Sequence, residues 1–173
     1  MSKEFKETLR EILKGNYLIV CLGNELRGDD AVGTYIANLL SKRGLGEKVL
    51  NLGMSPEAII GSLRGNYERL IFIDAISAGL PPGTIVFGEL EELEKRPILV
   101  TTHSIPLSLI VKYLRLTIPS LEAYLIGIQV KSVDIGAKLS EEVLRAAHEV
   151  VELITSLLQE SINENRKIKH FRE

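Results

Sequence analysis

The sequence predicts an α/β protein: a three-layer α/β/α domain built on a mostly parallel, twisted central sheet of about five strands. Three observations carry that prediction. Apolar segments of strand length alternate with amphipathic segments of helix length along the chain. The two strongest strand segments, Tyr17–Leu22 and 69–75, carry runs of consecutive apolar residues, 17–22 and 70–73, the pattern of a strand covered on both faces. The helical segments carry a single apolar stripe at a spacing of three to four residues, which suits a helix laid on a sheet.

The elements follow in order. Lys3–Lys14 places Phe5, Leu9, Ile12 and Leu13 on one stripe, and Gly15-Asn16 stops that helix. The first strand, Tyr17–Leu22, breaks at Gly23-Asn24 into a loop with two adjacent acids. A helix over 31–41 follows, with Val32, Ile36, Leu39 and Leu40 on one face and Arg43-Gly44 closing it. Residues 48–52 read as a second strand. Ser55-Pro56-Glu57 reads as a helix start, with Ser as N-cap, Pro in the first helical position and an acid in the first turn; Gly65-Asn66 stops the helix after Arg64. The third strand is 69–75, followed by a Pro/Gly loop over 77–83 and a fourth strand over 84–88. Residues 89–97 fit either a short helix or a loop, and 98–101 a brief strand. Leu107, Ile110, Val111 and Leu114 form an amphipathic helix, and 122–128 a further strand. Ser140 caps a last long helix that buries Val143, Ala147, Val150, Ile154 and Leu157. Beyond Gln159 the chain turns polar, so residues 159–173 read as a mobile tail on a single domain spanning 1–173.

Composition bounds the function. A chain of 173 residues is long enough for one real core, and 45% hydrophobic with 25% charged residues suits a soluble globular protein. A net charge of −2 without a basic cluster argues against nucleic acid as a partner. One cysteine makes no internal disulfide, and Tyr17–Leu22 is too short to span a bilayer, so a cytoplasmic protein without membrane insertion is expected. No sustained exposed apolar stripe is evident, which predicts a monomer.

Parallel α/β sheets bind ligands beyond the carboxyl ends of their strands, where the strand order reverses. Asp30 lies just past the end of the first strand and Asp74 at the end of the third. If those strands are neighbours, both carboxylates face one crevice. A charge at Asp74, after Leu70-Ile71-Phe72-Ile73, needs a cation, a donor network or a proton, because an unpaired buried charge costs on the order of several kcal/mol; capping the following turn is the plainer alternative. Asp29 reads as a helix N-cap or first-turn acid. His103, in Thr101-Thr102-His103-Ser104-Ile105-Pro106, enters a helix and is either structural or a ligand. Together Asp30, Asp74 and His103 make an Asp/Asp/His set suited to a divalent transition metal. Cys21, inside an apolar strand, reads as core and not as a nucleophile. His148 and His170 receive no role, and Arg27-Gly28-Asp29 matches an adhesion tripeptide by chance.

The segment Gly23-Asn24-Glu25-Leu26-Arg27-Gly28-Asp29-Asp30-Ala31-Val32-Gly33, followed by Ile73-Asp74-Ala75 and Thr102-His103-Ser104, resembles the [NiFe]-hydrogenase maturation endopeptidases (HycI/HybD-like). Asp at position 30 is similar to the HycI-like, formate-hydrogenlyase or archaeal branch, and the resemblance covers about Tyr17 to Leu158. It implies a peptidase that removes a short C-terminal peptide from the precursor of the hydrogenase large subunit after nickel insertion. By the same resemblance Asp30, Asp74 and His103 are both catalytic and metal-contacting, and Gly23 and Asn24 shape the loop that holds Asp30. The implied cofactor is nickel carried by the precursor, with no tightly held metal of the chain's own. The metal would polarise the scissile carbonyl or acidify a water, or Asp30 would act as general base. The loop 77–83 and the segment 89–97 are candidates for substrate contact. A non-catalytic, chaperone-like binder of the precursor is the alternative. A phosphate- or nucleotide-binding domain is a weaker one, since glycines 23, 28 and 33 fit neither the dinucleotide nor the P-loop spacing.

Overall fold

Six consecutive apolar residues, all buried, make β1 (Tyr17–Leu22) a central strand, and β3 (Arg69–Ser77) buries all but its two ends. In the computed structural model, which describes residues 2–63, 67–96, 100–101 and 105–170 and the side chains of all these except 100–101 and 164–170, the two strands pair in parallel with Cys21 opposite Ile73. Around them the chain runs α1 (Lys3–Lys14), β1, α2 (Val32–Leu40), β2 (Val49–Gly53), α3 (Ile59–Ser62), β3, β4 (Ile85–Glu89), α4 (Leu90–Glu94), β5 (Val100–Thr101), α5 (Leu107–Leu114), β6 (Glu122–Gln129) and α6 (Glu141–His170).

The sheet order is β2-β1-β3-β6-β4, a mostly parallel sheet as expected. β4 is the exception, antiparallel to β6 at the edge, and two-residue β5 pairs antiparallel with the last residues of β3. Strand alternation divides the core into two layers. Ile19, Cys21, Ile71, Ile73, Ile126 and Ile128 pack against α1, α2 and α6. Leu18, Val20, Leu70, Phe72 and Leu125 pack on the other face with Ile59, Leu90, Leu107, Ile110 and Val111 from α3, α4 and α5. Each fully buried Leu or Ile contributes about 1.5–3 kcal/mol, so the sheet is a rigid platform for its loops.

Several local expectations need correcting. The helix predicted from Ser55 starts instead as a 3-10 turn, Pro56–Ala58, without a side-chain cap from Ser55, and α3 adds only Ile59–Ser62 before Leu63 turns extended. The predicted stop at Gly65-Asn66 lies outside the described residues. α6 does not end near Gln159 but continues as helix through the segment assigned to a tail, to His170. Within the segment 89–97, Leu90–Glu94 is a helix that buries Leu90 and Leu93. The absence of an exposed apolar stripe does not hold either: Ile60, Ile105, Leu109, Tyr113 and Leu116 line a shallow cleft of about 420 Å³ between α3 and α5. Among the described residues no helix is long and apolar enough to cross a membrane.

Candidate active site

Strand order 2-1-3 puts the loop after β1 and the end of β3 side by side. The loop closes on itself. Arg27 N–H donates to Asn24 O and Asp30 N–H to Arg27 O, both at 3.0 Å, and Asn24 N–H donates to Asp30 O at 3.1 Å. Asn24 Oδ1 accepts the Leu26 N–H at 2.9 Å. Gly23, at φ 150°, approaches the Asp30 carbonyl so closely that a Cβ there would stand 2.2 Å from its oxygen. A 3-10 turn, Gly28–Ala31, then leads into α2. Gly33 in the first turn of α2 lies directly on the strand ends: a Cβ would sit 2.0 Å from Leu22 O and 2.6 Å from Ile73 O. Only glycine allows that approach, which carries the 28–31 turn onto β3 one residue before Asp74.

Asp30 is 4% exposed, and its Oδ1 has no hydrogen-bond partner among the described residues. Asp74 is fully buried in β3, opposite Gly127 of β6, and its Oδ1 accepts the Ala75 N–H at 2.8 Å. The structure thus brings the Asp30 turn and Asp74 to the carboxyl end of adjacent strands. His103 lies outside the described residues, between β5 and α5. Among the described residues no group of three or more His, Cys, Asp or Glu side chains is arranged to hold a metal ion.

Asp29 has a role that local sequence hides. Of the two roles read for it in the sequence it takes the first-turn acid and not the N-cap, and it is 1% exposed and faces the β6–α6 connection. Its Oδ2 accepts Lys131 N–H at 2.7 Å, Ser132 N–H at 3.2 Å and the Ser140 hydroxyl at 3.0 Å, and its Oδ1 accepts Ser140 N–H at 2.6 Å. Ser140 Oγ in turn accepts the Val143 N–H at 3.4 Å, so Asp29 anchors the cap of α6. These partners lie over a hundred residues away, and no local pattern announces them. Gly136 N–H to Leu26 O at 2.8 Å completes the fastening of the two loops.

Cys21 is excluded as a nucleophile: burial pushes its thiol far up, and the Asp74 carboxylate pushes it further. His148 bonds Tyr35 at 3.2 Å on the α2–α6 surface, away from the strand ends. Of the substrate-contact candidates, the 77–83 loop leaves the carboxyl end of β3, where buried Gln129 Oε1 receives the Ala78 N–H at 2.8 Å. The segment 89–97 starts at the opposite end of the sheet: β4 runs antiparallel, so Glu89 sits beside Tyr124 at the amino end of β6, while Glu94 accepts the Ser108 N–H in α5.

A cleft of about 410 Å³ opens between the 23–26 loop and the end of β2, lined by Asn24, Leu26, Thr34, Asn51 and Met54. Sequence reading missed it. Its one available signal is a polar Asn in the middle of Val49-Leu50-Asn51-Leu52-Gly53.

Residues 34–157 match the family model of HycI, hydrogenase maturation protease. A chain of Methanocaldococcus jannaschii named for that activity is 32% identical over 167 residues, 90% of this chain and 96% of that one. The [NiFe] hydrogenase maturation protease HycI of Thermococcus kodakarensis KOD1 superposes with a TM-score of 0.75 at 29% identity, over 88% of this chain and 99% of its own. The [NiFe] hydrogenase maturation protease HybD of Thermococcus kodakarensis gives 0.71 at 31% identity, over 82% and 98%. With matches of this extent to both sequence and fold, the chain belongs to the HycI hydrogenase maturation protease family.

Proposed function

We propose that this chain is the cytoplasmic endopeptidase that trims a short C-terminal peptide from the precursor of a [NiFe]-hydrogenase large subunit once nickel has been inserted, with Asp30, Asp74 and His103 as the working groups. The observation that carries the reading is the desolvated Oδ1 of Asp30, without a hydrogen-bond partner among the described residues and set on a turn that Gly33 holds against the end of β3. A buried carboxylate oxygen with no donor calls for a cation, and burial raises the strength of that attraction above its value in water. The loaded precursor brings the cation as part of the substrate. Asp30 and Asp74 then engage the metal or its surroundings, and His103 completes the set. A precursor without nickel lacks the completing charge, which makes trimming conditional on metal insertion. In this reading the substrate's metal polarises the scissile carbonyl or acidifies a water, or Asp30 acts as general base.

Asp30→Asn, Asp74→Asn and His103→Gln, each incubated with nickel-loaded precursor and read by mass spectrometry, are expected to leave the large subunit at full length while the unaltered chain shortens it. Trimming by all three variants would remove the assignment.

A further inference from the structure

The cleft beside β2 carries oriented polar groups that the trimming chemistry does not use. Asn51 Oδ1 accepts the Gly53 N–H at 3.2 Å and the Thr34 hydroxyl at 3.3 Å, and Asn24 Oδ1 accepts the Leu26 N–H at 2.9 Å. Oxygen and NH₂ occupy opposite corners of a carboxamide, so tying each oxygen to donors fixes the amide's orientation and leaves its NH₂ to the cleft. Among the described residues neither NH₂ donates to a protein acceptor. Two exposed apolar side chains flank these donors, Leu26 at 70% and Met54 at 63% exposure. The loop bearing Leu26 is fastened at both ends, since Gly23 N–H bonds Gly53 O at 2.9 Å and Gly136 N–H bonds Leu26 O. Leu26 is therefore presented to solvent by a tethered backbone. The cleft also shares a wall with the candidate site, because Asn24 N–H holds the Asp30 carbonyl.

Carboxamide donors between apolar walls suit a neutral main chain, whose carbonyls accept hydrogen bonds and whose side chains fall to alternate sides. Glu25 on the rim and Asp30 behind the wall disfavour an anion. Resting on the protease reading above, we propose that this cleft seats an extended, uncharged peptide segment of the precursor. Asn24 and Asn51 donate to its carbonyl oxygens, and Leu26 and Met54 cover its apolar side chains.

Asn51→Asp tests this directly: it keeps the acceptor for Gly53 and Thr34 and replaces the donor with a second acceptor. Nickel-loaded precursor is assayed for trimming and, by surface plasmon resonance, for binding to the unaltered chain and to Asn51→Asp. KM and Kd should rise about tenfold, as loss of one well-made hydrogen bond implies, with kcat within about twofold. The surface variant Leu26→Ser/Met54→Ser should raise both constants in the same direction, and it carries the test if Asn51→Asp does not fold. Unchanged KM and Kd, or a precursor that binds neither chain, overturn the cleft. A precursor that binds, binds more weakly to Asn51→Asp and stays uncut by both leaves the cleft standing and overturns the protease reading alone.

Discussion

Asp29 and Asp30 are sequence neighbours with opposite environments, and their variants should separate stability from function. Asp29 spends both oxygens on Lys131, Ser132 and Ser140. Asp29→Ala strands three N–H groups of the β6–α6 connection, those of Lys131, Ser132 and Ser140, so a loss of about 3 kcal/mol is expected, or about 6–12 °C in Tm by scanning calorimetry. Asp30 spends one oxygen on nothing among the described residues. Asp30→Asn removes a desolvated charge, and it should melt at or above the parent temperature while trimming is lost, the exchange expected of a residue kept for function. A Tm drop in Asp30→Asn as large as that of Asp29→Ala would show that Asp30 is structural. Cys21 offers a simple control. Its thiol stays protonated through neutral pH because burial and Asp74 raise it, so native chain should resist thiol alkylation and Cys21→Ala should trim normally. Asp74 stood out in the sequence as an acid closing the apolar run Leu70-Ile71-Phe72-Ile73, and Asp30 as one of two adjacent acids in the loop after the first strand. The Asp29 clamp was not, since its partners are distant in sequence.

At the level of elements, the order of strands and helices was legible because a parallel sheet writes continuous apolar runs and its covering helices write stripes. Lengths were less so. Pro56 and Glu57 promise a full helix, yet α3 ends after Ser62, where Leu63 turns extended. α6 outlasts its apolar stripe, and Arg10 with Glu160 at 2.7 Å ties its later turns to α1, a contact that local pattern does not contain. The contact between α2 and the sheet depends on Gly33, whose missing side chain lets the helix start rest on Leu22 O and Ile73 O. Both obstacles are backbone and cannot rotate away. Gly33→Ala should therefore lift α2 from the strand ends at a cost of about 3 kcal/mol, measured by urea unfolding. Trimming should fall further than stability, because the same shift draws Asp30 away from Asp74. Retention of parent-level trimming in folded Gly33→Ala would show that this approach does not position the carboxylates.

Across the whole molecule, α6 is held in two ways that respond differently to pH. One is apolar: Val143, Ala147, Val150, Val151, Ile154 and Leu157 sit in the core and are indifferent to protons. The other is a ring of exposed ion pairs, Arg43–Glu152, Lys131–Glu142 and Arg10–Glu160. The Arg43 and Lys131 hydrogen bonds hold Glu152 and Glu142 below their ordinary value of 4.5. Glu11 beside Lys14 and Glu122 beside Arg69 are lowered in the same way. A carboxylate whose pKa is depressed by folding contributes stability above its unfolded pKa and loses it as pH falls through the folded one. The acid arm of the stability curve should thus begin below about pH 4.5, with each exposed pair contributing little and salt reducing it further. Because two of the four lowered carboxylates belong to α6, that helix should loosen before the sheet. Amide hydrogen exchange, corrected for intrinsic rates and compared at about pH 7 and about pH 4, should show protection falling first over 141–160 while β1 and β3 keep theirs. Equal loss in α6 and in the central strands would mean that the apolar face alone fixes α6 and that its ion pairs are incidental.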